Sequence, residues 1–204
     1  MGKDDMGKLV MMRHGQSIWN KENKFTGFHD VDLSEQGVQE AIDAGKELAG
    51  MRFDTVFTST LMRAYKTALL ALEHSGSNEH LKDGDIYKMT RHDDIRERDY
   101  GDLVGLNKAE TAEKFGKEQV HIWRRSYDTR PPGGECLKDV VERVGPYFEA
   151  EIKPLLDQGQ TVLIAAHGNS LRAMMIVLGL RTPEDINEFE IPTGKPMTFD
   201  WPLN

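Results

Sequence analysis

Two stretches of sequence decide the fold: LVMMRHG at residues 9–15 and VLIAAHG at residues 162–168. A short apolar run of this kind, closed by a polar residue and glycine, is typical of a buried strand in a parallel sheet. The carboxyl ends of parallel strands meet at one edge of the sheet, and ligands bind in the crevice there. We therefore expect His14 and His167 to face one substrate.

Other apolar runs alternate with helical patterns along the chain. We predict strands over residues 9–12, 55–58, 86–89, 162–166 and 197–201. Apolar residues spaced three and four apart predict helices over 38–48, 61–72 and 137–155. Asn107 and Glu110 form an N-terminal box that predicts a shorter helix ending near Gly116, and Thr182-Pro183 predicts the start of another short helix. The expected fold is α/β, with three layers in which helices flank a mostly parallel central sheet. We expect one domain over residues 1–204, with residues 1–7 flexible.

Composition limits the compartment and the partners. The 204 residues include a single cysteine, Cys136, so no intrachain disulfide is possible and we expect a reducing, cytoplasmic setting. No apolar run approaches the length of about 18 residues that a membrane helix needs. The net charge of −8 disfavours binding to nucleic acid. An anionic ligand would therefore need a local basic pocket.

The tripeptide Arg13-His14-Gly15 suits phosphoryl transfer. A neutral imidazole can attack phosphorus, an arginine neutralises phosphate oxygens, and glycine lets backbone N–H groups approach. A histidine that is merely hydrogen-bonded at a strand end would explain one such tripeptide equally well, but a second His-Gly at His167 favours the chemical interpretation. Arg63 follows the second strand and can reach the same phosphate, although an isolated arginine there is more often solvated.

These three features together resemble the histidine phosphatase superfamily. Further motifs narrow the resemblance to its cofactor-dependent phosphoglycerate mutase family, in a short form, and the similarity runs from about Leu9 to the last strand. The motifs are WN at 19–20, FTG at 25–27, DVDLS at 30–34, ERDYG at 97–101, GLNKAET at 105–111, WRR at 123–125 and IPTG at 191–194.

The resemblance implies a covalent mechanism. His14 would carry a phosphoryl group donated by 2,3-bisphosphoglycerate, pass it to one hydroxyl of a monophosphoglycerate and take back the phosphoryl group from the other. Arg13, Arg63 and His167 would surround the group in transfer. By its motif Glu97 would move the proton, since one carboxylate can serve both directions. The alternative for Glu97 is a surface salt bridge to a neighbouring arginine.

The resemblance also implies the substrate contacts. The basic residues among them would hold the substrate carboxylate and second phosphate, which a plain phosphatase need not bind. The alternative for Lys108, Arg124 and Arg125 is that they are solvated residues on a helix surface. The full set is Ser17, Asn20, Thr26, Gly27, Arg98, Tyr100, Lys108, Arg124, Arg125, Gly168 and Asn169. We expect no metal, because the remaining histidines lack the spacing of metal ligands.

The chain departs from the family pattern in several places. Gln16 replaces a usual glutamate, and Asp99 replaces a common histidine. The passage from Arg125 to Gly134 is shorter than in longer members, and the sequence stops at Asn204, where they continue into a tail. By the resemblance, the shorter passage bears on substrate access and subunit contacts, and the tail can cover the site. We therefore expect a less covered site that releases more phosphate to water than in longer members. The resemblance leaves monomer and homodimer open.

The motifs leave two alternatives to a mutase. One is a bisphosphoglycerate synthase and phosphatase, or a general histidine phosphatase, of the same superfamily. The other is a catalytically silent relative that binds proteins, which has no physical need for His14, Glu97, Arg63 and His167 together. We expect small phosphoglycerates as partners, and neither nucleic acid nor a membrane.

Overall fold

A five-stranded sheet lies at the centre of the computed structural model, which describes residues 6–204. The strands are β1 (Gly7–Arg13), β2 (Thr55–Thr58), β3 (Lys82–Asp83), β4 (Ile86–Tyr87), β5 (Thr90–Arg91), β6 (Thr161–Ala166) and β7 (Met197–Trp201). Their order across the sheet is β5-β2-β6-β1-β7, and β3 and β4 form a separate hairpin. Only β7 runs antiparallel to its neighbour in the main sheet.

Helices cover both faces of this sheet. They are α1 (Ile18–Lys21), α2 (Glu35–Glu47), α3 (Met62–Ser75), α4 (Lys108–Phe115), α5 (Lys117–Arg125), α6 (Leu137–Tyr147), α7 (Lys153–Asp157) and α8 (Gly168–Val177). Successive residues of a strand point to opposite faces, and in β1 both sets are apolar. Leu9 and Met11 pack into a core that includes α6 and α8, whereas Val10 and Met12 pack into one that includes α2 and α3. The predicted three-layer α/β architecture is confirmed.

The strand predicted over 86–89 is confirmed only at Ile86–Tyr87, and it lies outside the main sheet. Ile86 and Tyr87 pair with β3 outside the main sheet, and the edge strand next to β2 is instead Thr90–Arg91. The hairpin is favoured by Gly84, whose φ of 64° suits a tight turn. Residues 90 and 91 are both exposed, so no apolar pattern marked them as a strand.

Two helix predictions need correction. The helix predicted over 137–155 is continuous but irregular: α6 passes into a π-helical segment, Phe148–Ile152, before α7. Pro154 has no N–H to donate to the preceding turn, which favours a wider turn there. At Thr182 the chain makes a hydrogen-bonded turn with Asp185, and only a 3₁₀ turn, Ile186–Glu188, follows. The helix predicted to open at Thr182-Pro183 is therefore wrong.

The helix predicted from Asn107 is confirmed as α4. The Asn107 side chain accepts hydrogen bonds from the N–H groups of Ala109 and Glu110, and the helix ends before Gly116, whose φ is 91°. Of the N-terminal segment predicted to be flexible, residues 1–5 lie outside the described residues, and Gly7 is the first residue of β1. Within residues 6–204, no helix has the length and apolar character to cross a bilayer.

Candidate active site

The two histidines meet because their strands are neighbours. Strand β1 pairs in parallel with β6, with Arg13 opposite Ala166, so the next residue of each strand emerges at the same edge. The His14 N–H donates to the Ala166 carbonyl at 2.9 Å. The imidazole rings of His14 and His167 lie 5.0 Å apart between centroids. The sheet register thus brings both predicted catalytic histidines together.

His14 is held as a neutral imidazole. Its Nδ1 lies 2.6 Å from the Gly15 carbonyl oxygen, so Nδ1–H donates and Nε2 keeps its lone pair. Burial, followed by the charges of Arg63 and Arg13, holds the pKa of His14 well below its usual value. At neutral pH the ring is therefore uncharged and ready to attack phosphorus.

His167 is the second buried histidine at this sheet edge. Its Nε2 lies 2.6 Å from the Ser59 hydroxyl, which accepts a hydrogen bond from the Leu61 N–H. The Ser59 hydrogen is then free to point at Nε2, which favours protonation of His167 at Nδ1. This buried Nδ1 has no partner among the described residues. Burial and the charge of Arg63 lower the pKa of His167 well below its usual value, so the ring is neutral.

Two arginines stand beside the histidines. Arg63, at the start of α3, donates from Nη1 to the His29 carbonyl and from Nη2 to the Gly27 carbonyl, each at 2.8 Å. Burial lowers the pKa of Arg63 to about 10, so it stays charged at neutral pH. Arg13 donates from Nη1 to the Ile191 carbonyl at 2.9 Å, and its buried Nε has no partner among residues 6–204. Both side chains are fixed by backbone carbonyls.

Gly15 has a different role from the predicted one. Its N–H donates to the Thr67 hydroxyl at 3.0 Å, and a Cβ there would collide with the Gly37 carbonyl of α2. The glycine therefore permits close packing of the loop on α2. The prediction that it exposes backbone N–H groups to phosphate is wrong.

Glu97 is a buried, ionised carboxylate. Its Oε1 accepts hydrogen bonds from the N–H groups of Arg98, at 2.8 Å, and Asn169, at 3.2 Å. Burial alone would raise the pKa of Glu97, but the Arg98 N–H and the charges of Arg63 and Arg13 outweigh it and lower the pKa. An ionised carboxylate can accept a proton from an attacking hydroxyl and return it.

The surface salt bridge considered for Glu97 is not formed among the described residues. Arg96 instead pairs with Asp93, with Nε 3.6 Å from Oδ1. Arg98 approaches Glu97 through its backbone N–H alone, since its guanidinium is engaged elsewhere. The site interpretation of Glu97 is thus the one compatible with its surroundings.

An open cavity collects most of the predicted residues. The predicted residues that line it are Arg13, His14, Asn20, Thr26, Gly27, Arg63, Glu97, Tyr100, Lys108, Arg124, Arg125, Gly168 and Asn169. Among residues 6–204, no group of three or more His, Cys, Asp or Glu side chains is arranged to hold a metal ion.

His167 does not line the cavity, and neither do Ser17 and Arg98, which the resemblance predicts to be direct contacts. Ser17 caps α1: its hydroxyl accepts from the Asn20 N–H, and Asn20 Oδ1 accepts from the Ser17 N–H, both at 3.0 Å. Arg98 is 1% exposed and donates to the carbonyls of Trp123 and Arg124, both at 3.0 Å, at the end of α5. Both residues position a neighbour that lines the cavity.

A second group of cations comes from the hairpin of α4 and α5. Lys108 is the first residue of α4, and Arg124 and Arg125 are the last two of α5. Burial lowers the pKa of both Lys108 and Arg124, which are only partly exposed. Tyr100 lies near them, and its hydroxyl accepts a long hydrogen bond, 3.4 Å, from Asn169 Nδ2. The cavity therefore has basic groups on elements separate from the catalytic strands.

Three residues that line the cavity are not among those predicted from the sequence: Lys24, Arg172 and Glu190. Arg172 lies four residues after Gly168 on α8, so helical spacing from the His-Gly motif was an available signal. Glu190 directly precedes the IPTG motif, and Lys24 directly precedes FTG. No charge pattern distinguished these two from ordinary surface residues.

Comparison with known proteins agrees with this geometry. The sequence pattern of the histidine phosphatase superfamily (branch 1) matches residues 9–201. Proteins named 2,3-bisphosphoglycerate-dependent phosphoglycerate mutase are similar throughout: that of Xanthobacter autotrophicus is 52% identical over 94% of this chain and 90% of its own, and that of Chlamydia muridarum is 43% identical over 96% and 94%.

Solved structures share the fold at lower identity. A structure titled mycobacterial hydrolase 1 has a TM-score of 0.80 at 25% identity, and covers 94% of this chain and 87% of its own. A mycobacterial glucosyl-3-phosphoglycerate phosphatase in complex with VO3 has a TM-score of 0.78 at 26% identity, with 94% and 91% covered. With the family pattern matched over nearly its whole length, the chain belongs to the histidine phosphatase superfamily.

Proposed function

We propose that the protein interconverts 3-phosphoglycerate and 2-phosphoglycerate through a phosphohistidine at His14, primed by 2,3-bisphosphoglycerate. The reaction belongs to glycolysis and gluconeogenesis, and we assign the protein to the cytoplasm on that basis. The observation that carries the proposal is one cavity that joins a neutral nucleophilic histidine to a separate group of cations on α4 and α5. The names of relatives at 43% and 52% identity support the same reaction.

The chemistry follows from the protonation states. With the phosphoryl group on Nε2 of His14, a monophosphoglycerate hydroxyl gives its proton to the ionised Glu97 and attacks phosphorus, so a P–O ester bond forms and the P–N bond breaks. Nε2 of His14 then attacks the other phosphorus of the bisphosphoglycerate, a P–N bond forms and that P–O ester bond breaks, and Glu97 returns the same proton to the leaving oxygen. Transfer to one hydroxyl and return from the other moves the phosphate between carbons 2 and 3.

The phosphoryl group in transfer needs positive charge and donors rather than covalent help. Arg13, Arg63 and the Nδ1–H of His167 supply them, and the buried Nε of Arg13 is a further donor without a protein partner among residues 6–204. Backbone carbonyls hold the two guanidinium groups in place, so these need no reorganisation during the step. The orphaned donors fit a bound phosphate.

The second cation group separates a mutase from a phosphatase. A bisphosphoglycerate must stay bound while it reorients between the two transfers, whereas a phosphatase releases its dephosphorylated product at once. Lys108, Arg124 and Arg125 offer contacts for the carboxylate and the phosphate that is not reacting. We assign them that role.

The experiment that tests the proposal follows two products together. Purified protein is mixed with 3-phosphoglycerate, with and without a trace of 2,3-bisphosphoglycerate, and 2-phosphoglycerate and inorganic phosphate are measured in the same samples. We expect the trace to stimulate isomerisation strongly, with little phosphate released. Phosphate release without isomerisation would instead assign a phosphatase.

A further inference from the structure

Glu190 is a carboxylate in a cavity that otherwise attracts anions. Seven basic side chains line the cavity, against two carboxylates, Glu97 and Glu190. Glu97 is accounted for by proton transfer. Glu190 lies in the connection between α8 and β7, its side chain is 70% exposed, and the reaction has no need of it.

The contacts of Glu190 are those of a bound anion. Its Oε1 lies 3.2 Å from Nη2 of Arg125, and its Oε2 lies 3.6 Å from Nη2 of Arg172. Arg125 comes from α5 and Arg172 from α8, so the carboxylate bridges two elements. A phosphate or carboxylate group of a ligand would bind the same two guanidinium groups in the same way.

Arg172 is built into the cavity wall. It is 7% exposed, and its Nε donates to the Phe189 carbonyl at 3.3 Å. A Cβ built at Gly168 would lie 3.4 Å from Nη1 of Arg172 and 3.6 Å from Nε of Arg13. Glu190 joins Arg172 to Arg125, so Arg172 is next to both groups of cations. A nearly buried guanidinium next to other cations is stable only with an anion beside it.

The protein's own anion is a weak occupant of that position. Glu190 is largely exposed, and an exposed ion pair gains little because water screens it. A phosphate group carries more charge and more acceptor oxygens than one carboxylate, so it competes well for both arginines. The exposed side chain can also swing into solvent when it is displaced.

We propose that Arg172 is a further anion-binding residue and that Glu190 occupies the anion position of Arg125 and Arg172 until the second anionic group of the substrate displaces it. The inference rests on the proposed function, because it takes a small phosphorylated acid as the ligand. Glu190 then lowers the affinity of the cavity and eases release of the product. It keeps the cationic wall paired when no ligand is bound.

The test compares Glu190→Gln with a matched control, Glu188→Gln, two residues away and exposed without an ion pair among the described residues. Binding of 3-phosphoglycerate is measured by titration calorimetry. We expect Glu190→Gln to bind about tenfold more tightly, about 1.4 kcal/mol, and the control to bind as the parent does. Structural damage does not tighten binding, so unchanged or weaker binding in Glu190→Gln would overturn the proposal.

A double-variant cycle tests whether the effect of Glu190 on binding depends on Arg172. Arg172→Gln should weaken binding about tenfold, and in that background Glu190→Gln should tighten it by no more than about threefold. A full tenfold gain in the double variant would show that Arg172 is not the partner displaced. Should Arg172→Gln melt before it can be measured, the same cycle is run with Arg125→Gln.

Binding and turnover separate this inference from the proposed function. Tighter binding in Glu190→Gln by a protein that releases phosphate without isomerisation would uphold the anion site and overturn the mutase. Isomerisation by the parent protein, with no change in binding for Glu190→Gln, would uphold the mutase and overturn the anion site.

Discussion

At the scale of single residues, hydrogen bonds to the histidines fix their chemistry. The Gly15 carbonyl holds the proton of His14 on Nδ1, and the Ser59 hydroxyl leaves the Nδ1–H of His167 free for a ligand. The sequence motifs predicted both histidines, because a His-Gly pair after an apolar run is visible in one dimension. The tautomers were not predictable, since Ser59 approaches His167 across 108 positions of sequence.

The proton-transfer role of Glu97 predicts a loss in turnover. Glu97→Gln keeps an oxygen for the N–H groups of Arg98 and Asn169 but cannot accept a proton. We expect kcat for isomerisation to fall about 10²- to 10⁴-fold, with a smaller change in KM. The exposed Glu113→Gln serves as the control. Turnover of Glu97→Gln within about threefold of the parent would remove the carboxylate from the mechanism.

The buried neutral histidines predict a loss of stability in acid. Because the pKa of His14 and of His167 is lowered by folding, the unfolded chain binds more protons than the folded one below pH 6.5. The free energy of unfolding should therefore fall as the pH drops below that value, with a slope that approaches about 1.4 kcal/mol per pH unit for each histidine.

Urea unfolding at pH 7, 6 and 5 measures this slope. The variant with both His14→Gln and His167→Gln should show a clearly flatter dependence between pH 6.5 and 5, since it has lost both titrating groups. Equal slopes in the two proteins would mean that other groups account for the acid sensitivity.

At the scale of elements, α6 holds the segment that carries Glu97. Arg143 on α6 donates to the carbonyls of Asp94, at 2.6 Å, and Glu97, at 2.8 Å. It also pairs with both oxygens of Glu135, at 3.0 Å each, and Glu135 in turn accepts from the Asp99 N–H at 2.9 Å. Arg143 is therefore a positioning residue for Glu97.

Replacement of Arg143 should affect stability and turnover together. Arg143→Gln leaves Glu135 and several carbonyls without their donor, so we expect a loss of about 2–4 kcal/mol in the free energy of unfolding. The kcat should fall as well, because the backbone at Glu97 is no longer fixed. Arg130→Gln, which breaks the more exposed Arg130–Asp139 pair, should lower the free energy of unfolding by clearly less than Arg143→Gln does. Chemical denaturation and steady-state assays of both variants decide this, and equal losses would contradict it.

Some of these elements could be predicted from the sequence and others could not. Strands β1, β2 and β6 were predictable because their buried faces leave an unbroken apolar run. Strand β5 was not, since its two residues are exposed and only pairing with β2 defines it. The contacts of Arg143 were equally hidden, because its carbonyl partners lie 46 to 49 positions away in an irregular segment.

At the scale of the whole molecule, charge is segregated. The chain has a net charge of −8, yet seven basic side chains line its cavity. The acidic net charge predicts that an anionic ligand needs a local basic pocket, and the family motifs contain most of the basic residues of that pocket. Arg172 and Lys24 complete it, and their contribution needed the three-dimensional arrangement of α8 and of the FTG segment.

This segregation predicts a dependence on salt. Mobile ions screen the cavity from a polyanionic substrate, and the screening length shortens from about 10 Å at 0.1 M to about 3 Å at 1 M salt. We expect KM for 3-phosphoglycerate to rise several-fold between these concentrations of KCl while kcat changes little. A control melt in the same buffers checks that folding is unaffected, and a KM independent of salt would contradict the charge argument.

Intact-protein mass spectrometry shows whether His14 carries the phosphoryl group. The protein is incubated with 2,3-bisphosphoglycerate and then measured before and after brief acid treatment. We expect one added phosphate that acid removes, that 3-phosphoglycerate discharges, and that is absent in His14→Ala. Turnover that persists in His14→Ala, or a phosphate that survives acid, would contradict a phosphohistidine at His14.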